Sequence, residues 1–345
     1  PTPTFFLGLT LFDEGRRRES ADAYAAAADL DPLHWEAFSN LGSVLHDMRD
    51  LPSATVALSS AIALLEDRTT EPTNAPYDPA PILSQLHYIL GTCLVASPDA
   101  DSKTCTVDSR SLPCSQLAKH SFSRSLDYDA SNTMSSHMLA SLTADATVTR
   151  ASNEYVEALF DSYADSFEHS LTVDLKYTGY SLLRAFVDER LTPRMYEVVL
   201  DAGCGTGLVG EQFRNISGTL IGVDLSQAII NEAKARRPGL YDRTVAGDVV
   251  EILAGMPAQL DLLIAADSFI YLGDLDPLFS AISTALSSSS YAAFTLEGVD
   301  AVEGATLNAA NPEWRWTLTP SGRFAHRKEY VVEALERRGM RIEAY

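Results

Sequence analysis

Two periodicities divide the chain. Up to about residue 142, apolar residues recur at helical spacing: Leu7, Gly8, Leu11, Tyr24 and Ala27 are matched 34 residues later by Leu41, Gly42, Leu45, Leu58 and Ala61. In both copies small residues stand where two helices must approach closely, with a larger apolar side chain one turn away. Asp31-Pro32 closes the first copy and suits the opening turn of the next helix. A third copy is split: Leu90-Gly91-Thr92-Cys93-Leu94 restarts the pattern, and Ala118, Phe122 and Ser125 complete it. Residues 97–113, rich in Ser, Asp and Pro, are predicted to be a mobile surface loop between its halves. A closing helix is expected at Asn132 to Leu142, so the helical domain is placed at 1–142 with a linker at 143–152.

Beyond residue 153 the pattern changes to short apolar runs alternating with helical stretches, which predicts an α/β domain with a doubly wound, mostly parallel sheet. Strands are expected at Tyr196 to Leu200, Thr219 to Val223, Thr244 to Val249, Leu260 to Ala266 and Tyr291 to Glu297, then a helix at Lys328 to Arg338 and a strand at Met340 to Tyr345. The first strand runs into Asp201-Ala202-Gly203-Cys204-Gly205-Thr206-Gly207, and a helix can start at Leu208. Glycines let the backbone turn sharply and lie against a ligand, and free amides at the helix start favour an anionic group. A dinucleotide-binding GxGxxG turn would need glycine where Leu208 stands. Acids close the following strands: Asp224, 17 residues after Gly207, can accept both hydroxyls of a ribose, Asp248 can accept an adenine amino group with Val249 beside the ring, and Asp267 closes the fourth strand.

With 345 residues, 46% of them hydrophobic, there is material for two cores. A formal net charge of −21 repels phosphate backbones and argues against nucleic-acid partners. No run approaches the roughly 20 apolar residues of a membrane span, and Pro1 to Leu11 lacks a secretory pattern, so no membrane association and a cytoplasmic location are expected. The four cysteines, Cys93, Cys105, Cys114 and Cys204, offer neither a metal site nor a disulfide framework, and Cys105 and Cys114 are expected as reduced thiols.

The set Asp201, Gly203, Gly205, Gly207, Asp224, Asp248 and Asp267 resembles the class I S-adenosylmethionine-dependent methyltransferases over about 150 residues. That resemblance implies a Rossmann-like sheet of the seven-stranded type at 153–345, with S-adenosylmethionine as cofactor and S-adenosylhomocysteine as product. It places the methionine carboxylate on the glycine turn, and it adds Cys204, Leu225 and Val249 to the cofactor-binding set. Asp201 would orient the methionine end, and Asp267 would stand beside the transferable methyl group. The usual seventh strand is either missing or supplied by Trp314 to Leu318. Ser287 to Ser290 replace the Pro-Gly-Gly of related sequences, which predicts a looser turn.

Residues 1–66 resemble tetratricopeptide repeats, an architecture whose concave groove implies a peptide or protein ligand. The whole layout is similar to a family of predicted methyltransferases carrying such repeats at the amino terminus, through Tyr155 to His169, Ala266 to Leu275 and Gly322-Arg323-Phe324-Ala325-His326. The implied reaction is methyl transfer to a small-molecule or protein acceptor; a repeat scaffold that binds cofactor without turnover is the alternative. Acceptor-side candidates are Tyr163, His169, Asp267, Tyr271 and His326. Tyr163 and Phe167, spaced i, i+4, read either as buried core or as a lid over the cofactor. Asp267 is followed by Ser268-Phe269-Ile270, not Pro-Pro-Tyr, which argues against the amino-group enzymes that act on adenine or glutamine.

Overall fold

A computed structural model describes residues 2–70, 78–96, 100–107, 109–143, 145–162, 164–299 and 301–344. The chain divides into two compact units, Pro1–Thr143 and Ala144–Tyr345, and no described helix is long and apolar enough to cross a membrane.

The first unit contains α1 (Pro3–Asp13), α2 (Arg17–Leu30), α3 (Trp35–Asp47), α4 (Leu51–Thr70), α5 (Ala80–Val95), α6 (Cys114–Tyr128) and α7 (Thr133–Thr143), each packed on the next. Three of these contacts repeat one device. A Cβ at Gly8 would come 2.7 Å from the Tyr24 ring, one at Gly42 would come 2.6 Å from Leu58, and one at Gly91 would come 2.5 Å from Phe122. The glycine of one helix is thus the seat for a large, fully buried side chain of its partner, which is why that residue type recurs at that spacing.

Residues 100–107 and 109–113 are not a bare loop. Thr104–Val107 (β1) and Arg110–Pro113 (β2) form an antiparallel hairpin, and Cys105 is bonded to Cys114 in a disulfide, with Cα atoms 4.9 Å apart. The expectation of free thiols fails because the hairpin register sets Cys105 opposite Leu112, while the Cys114 amide donates to the Lys103 carbonyl. Residues 97–99 and 108 of the segment lie outside the described residues.

The second unit opens with α8 (Asn153–Asp161), capped by the Ser152 hydroxyl at the Tyr155 amide, then α9 (Ala164–His169), a wide turn at Ser170–Asp174, and α10 (Gly179–Arg190). There follow β3 (Tyr196–Ala202), α11 (Leu208–Phe213), β4 (Ser217–Asp224), α12 (Gln227–Arg236), β5 (Arg243–Ala246), α13 (Val249–Ala254), β6 (Leu260–Ala265), α14 (Asp276–Ala285), β7 (Leu286–Phe294), α15 (Ala301–Ala310), β8 (Trp316–Leu318), β9 (Phe324–His326) and α16 (Lys328–Glu336). Successive residues of the strands face opposite ways. Leu200, Ala202, Ile221, Val223, Leu263 and Ala265 pack with α13, α14 and α16. Val199, Leu220, Leu262 and Ile264 pack with α10 and α11. Burial on both faces explains why the strands read as continuous apolar runs.

The main sheet has five parallel strands in the order β5-β4-β3-β6-β7 among the described residues, not seven. Trp316–Leu318 does form a strand, but it pairs antiparallel with Phe324–His326 as a separate hairpin, linked to the chain beyond β7 by a bridge between Glu297 and Ala325. Residues 340–344 form no strand, because Met340 and Ile342 satisfy their apolar alternation by packing on the core instead of joining a ladder. The fifth strand begins at Leu286, earlier than expected. Ser287 donates to Asp261 and pairs with the Ser290 hydroxyl, and a register shift between Leu260 and Leu262 accommodates the serine run.

Candidate functional site

The chain leaves β3 toward β4 and β5 on one side and toward β6 and β7 on the other, so the loops after β3 and β6 diverge at the carboxyl ends of the strands. A cavity of about 180 Å³ occupies that crevice. Gly203, Cys204 and Gly205 line it, as do Asp224, Leu225, Asp248, Val249, Asp267 and Tyr271. Asp201, Gly207, His169 and His326 do not, and Tyr163 lies outside the described residues.

The three glycines of the turn meet three different demands. Gly203 has φ +71°, and a Cβ there would stand 2.2 Å from that of Ser268, whose hydroxyl donates to the Ala202 carbonyl. Gly205, at φ +54°, turns its open side to the cavity, where the nearest neighbour is the Phe167 ring at 3.6 Å. Gly207 abuts Leu240 instead of the cavity. The amides expected to meet an anion are mostly spent inside the fold: Gly203 and Cys204 donate to the Val223 carbonyl, Gly207 donates to Cys204, and Gly205 donates to Asp224 at 2.9 Å.

Asp224 also accepts the Ser226 amide at 3.1 Å, so the carboxylate that closes β4 holds the glycine turn in place. Its burial raises its pKa against the pull of those amides. Asp248 caps α13 through the Val250 amide at 2.8 Å and accepts a 2.6 Å hydrogen bond from Arg150. Burial pushes this carboxyl up, but the guanidinium outweighs it and the net pKa is lowered. Arg150 was not legible as a site residue. It arrives because Thr149 accepts the amides of Gly273 and Asp274, both at 2.8 Å, while the Ala151 amide donates to the Tyr271 carbonyl.

Asp201 does not reach the cavity itself. It is fully buried beneath the turn, with one oxygen accepting the Tyr241 hydroxyl at 2.7 Å and the other without a well-formed hydrogen bond. Burial pushes its pKa up to about 7. A folded-state pKa above the ordinary carboxylate value of about 3.9 means that the native state holds the proton more tightly, so stability falls as pH rises from about 4 to 7. Asp201→Asn keeps an acceptor for Tyr241 but does not ionise. Relative to the parent it is expected to gain on the order of 3 kcal/mol across that interval, read from denaturant midpoints at successive pH values; a pH-independent difference between the two proteins would refute the assignment.

On the opposite side, Asp267 sits at φ +53°, its amide donating to the Thr295 hydroxyl at 2.8 Å and its carboxylate accepting from that hydroxyl at 2.9 Å. Tyr271 is buried, which raises its phenol pKa, and its ring meets Phe160 edge-on. Phe160 in turn meets Phe167, and both line the cavity together with Leu171. Next to Phe167, Glu168 accepts from Arg237 at 2.7 and 3.1 Å, and Arg237 also donates to the Thr206 carbonyl. His169 is exposed away from the cavity. His326 is buried and donates to the Leu272 carbonyl at 2.8 Å, so it props the loop behind Tyr271; burial lowers its pKa to about 4. Tyr177 and Arg323 complete the wall. The signal for Arg323 lay in Gly322-Arg323-Phe324-Ala325-His326, of which the guanidinium, not the imidazole, lines the cavity.

Residues 199–289 match the family described as "Methyltransferase domain". That match runs from within β3 into β7, the stretch that carries the glycine turn, Asp224, Asp248 and Asp267. Magnesium-protoporphyrin O-methyltransferase of Rhodobacter capsulatus is 36% identical over 94 residues, 27% of this chain and 42% of the relative. The chain therefore spans less than half the length of that curated relative. Among solved structures, a S-adenosylmethionine-dependent methyltransferase from Clostridium acetobutylicum is 25% identical with a TM-score of 0.34, covering 39% of this chain and 57% of that one. The Haemonchus contortus phosphoethanolamine N-methyltransferase 2 is 18% identical with a TM-score of 0.40, covering 54% and 42%.

Proposed function

We propose that the chain is a methyltransferase that moves the methyl group of S-adenosylmethionine to a small-molecule or protein acceptor, and that its first unit is a tetratricopeptide module presenting a partner. The observation that carries the reading is the convergence of Gly205, Asp224, Asp248 and Asp267 on one cavity at the reversal of strand order. A fit to the cofactor follows from the residues themselves. Gly205 offers an open side that a Cβ would fill, Asp224 keeps lone pairs for a ribose diol after accepting two amides, and Val249 and Leu225 supply an apolar slot beside Asp248.

Bound there, S-adenosylmethionine supplies an already activated methyl group. The protein's contribution is then alignment and exclusion of water, since effective molarities of order 10⁵ or more come from positioning alone. Phe160, Phe167 and Leu171 give the cavity an apolar wall that disfavours water. Asp267, oriented by Thr295, can take a proton from an acceptor hydroxyl or amine. Neither His169 nor His326 is placed for that task. The glycine seats at Gly8, Gly42 and Gly91 support the repeat reading of the first unit.

Calorimetric titration of the full chain with S-adenosylmethionine and, separately, with a nicotinamide dinucleotide tests the reading. One-site binding of the first and none of the second is expected, and preference for the dinucleotide would overturn it.

A further inference from the structure

The acceptor end of the cavity holds two fixed charges of opposite sign. Asp267 has one carboxylate oxygen tied to Thr295, and Arg323 projects from the β8–β9 hairpin. The two cavity arginines differ sharply. Arg150 sits 2.6 Å from Asp248, whereas the ion pair of Arg323 with Glu297 is stretched to 4.0 Å. In a chain with 26 basic against 47 acidic residues, a cation on a cavity wall without a close carboxylate is poorly explained by fold stability, because carboxylates are abundant. A phenol stands between the charges: the buried Tyr177 hydroxyl leans toward Asp267 without a well-formed hydrogen bond and also feels Arg323, while Tyr271 interacts with Arg323 and feels Asp267. A buried hydroxyl with only poor hydrogen-bond geometry forfeits part of the roughly 1 kcal/mol that a good bond contributes, which a ligand group can recover.

Resting on the methyltransferase reading above, we infer that the acceptor is a small molecule carrying both an oxyanion, carboxylate or phosphate, held by Arg323, and a hydroxyl or amine nucleophile held between Asp267 and Tyr177. The guanidinium suits such a group because its planar fork matches two oxygens at once. The nucleophile then lies beside Asp267, which can take its proton, and the Tyr177 hydroxyl gains a well-placed partner. The proton goes from the acceptor to Asp267 as the bond to the methyl carbon forms and the carbon–sulfur bond breaks, so charge balances without any further reactant.

The test uses the full-length protein saturated with S-adenosylhomocysteine and challenged, by thermal shift and then calorimetry, with a defined panel of small hydroxy and amino compounds that are neutral, cationic, carboxylate-bearing or phosphate-bearing, together with a set of short peptides. Binders are expected among the two oxyanion groups, and which group prevails separates the two sources. Arg323→Gln should weaken those binders by about 10- to 100-fold, Arg323→Lys should restore part of the loss, and both variants should bind S-adenosylhomocysteine as the parent does. Binders confined to neutral, cationic or peptide probes, an empty panel, or oxyanion binding indifferent to Arg323→Gln would each overturn the proposal. Failure of the parent to bind S-adenosylhomocysteine would show instead that the underlying cofactor reading is wrong.

Discussion

Replacing Asp224 with alanine is expected to raise the dissociation constant for S-adenosylhomocysteine by at least about 100-fold, because one carboxylate serves two ends. Toward the ligand it offers charged acceptors for two ribose hydroxyls, each worth about 1.5–3 kcal/mol. Toward the protein it accepts the amides of Gly205 and Ser226, so its loss frees the turn on which the cofactor would rest. Asp224→Asn keeps an oxygen for one amide and should fall between the two. Calorimetry gives the affinities, and circular dichroism melts of the same samples separate binding from folding. An alanine variant that binds within a few-fold of the parent would remove Asp224 from the site.

The second large effect concerns Gly203. Alanine there must adopt φ +71° and bring its Cβ to 2.2 Å from that of Ser268, so either the turn or the loop after β6 has to move. The backbone strain and overpacking together are expected to cost about 2–4 kcal/mol of stability and to abolish cofactor binding. Adding Ser268→Gly removes the collision but not the strained backbone, so the double variant should recover only part of the loss. Gly205→Ala is the instructive contrast. It meets only the Phe167 ring at 3.6 Å, so it carries the strain of a positive φ (+54°) without the collision and should cost about 1 kcal/mol of stability, less than Gly203→Ala, together with affinity. If Gly203→Ala melts with the parent, the close approach of β3 and β6 loops does not constrain the turn as described.

Much of this site was legible in the chain because the features that build it are local. A strand that must be buried on both faces reads as an apolar run, and the residue that ends it projects where the strand stops, so Asp224, Asp248 and Asp267 could be placed on one edge from their positions alone. Residues that enter from elsewhere could not. Arg150 reaches Asp248 across 98 positions, and Tyr241 reaches Asp201 across 40, through packing that no periodicity encodes. Residue type alone does not fix where a side chain acts. His326 has the right imidazole in the wrong place, bonded to the carbonyl of Leu272, and Asp201 has the right carboxylate sealed from the cavity. The hairpin and disulfide of residues 104–114 were missed because serine- and proline-rich composition predicts exposure but says nothing of pairing.

The short stretch from Thr149 to Ala151 carries a mechanical consequence. It is pinned to residues 271–274 by three backbone hydrogen bonds, donated by Gly273, Asp274 and Ala151, and its arginine clasps Asp248. Displacing this one segment would therefore disturb two places together, the helix start at Asp248 beyond β5 and the loop after β6 that carries Tyr271.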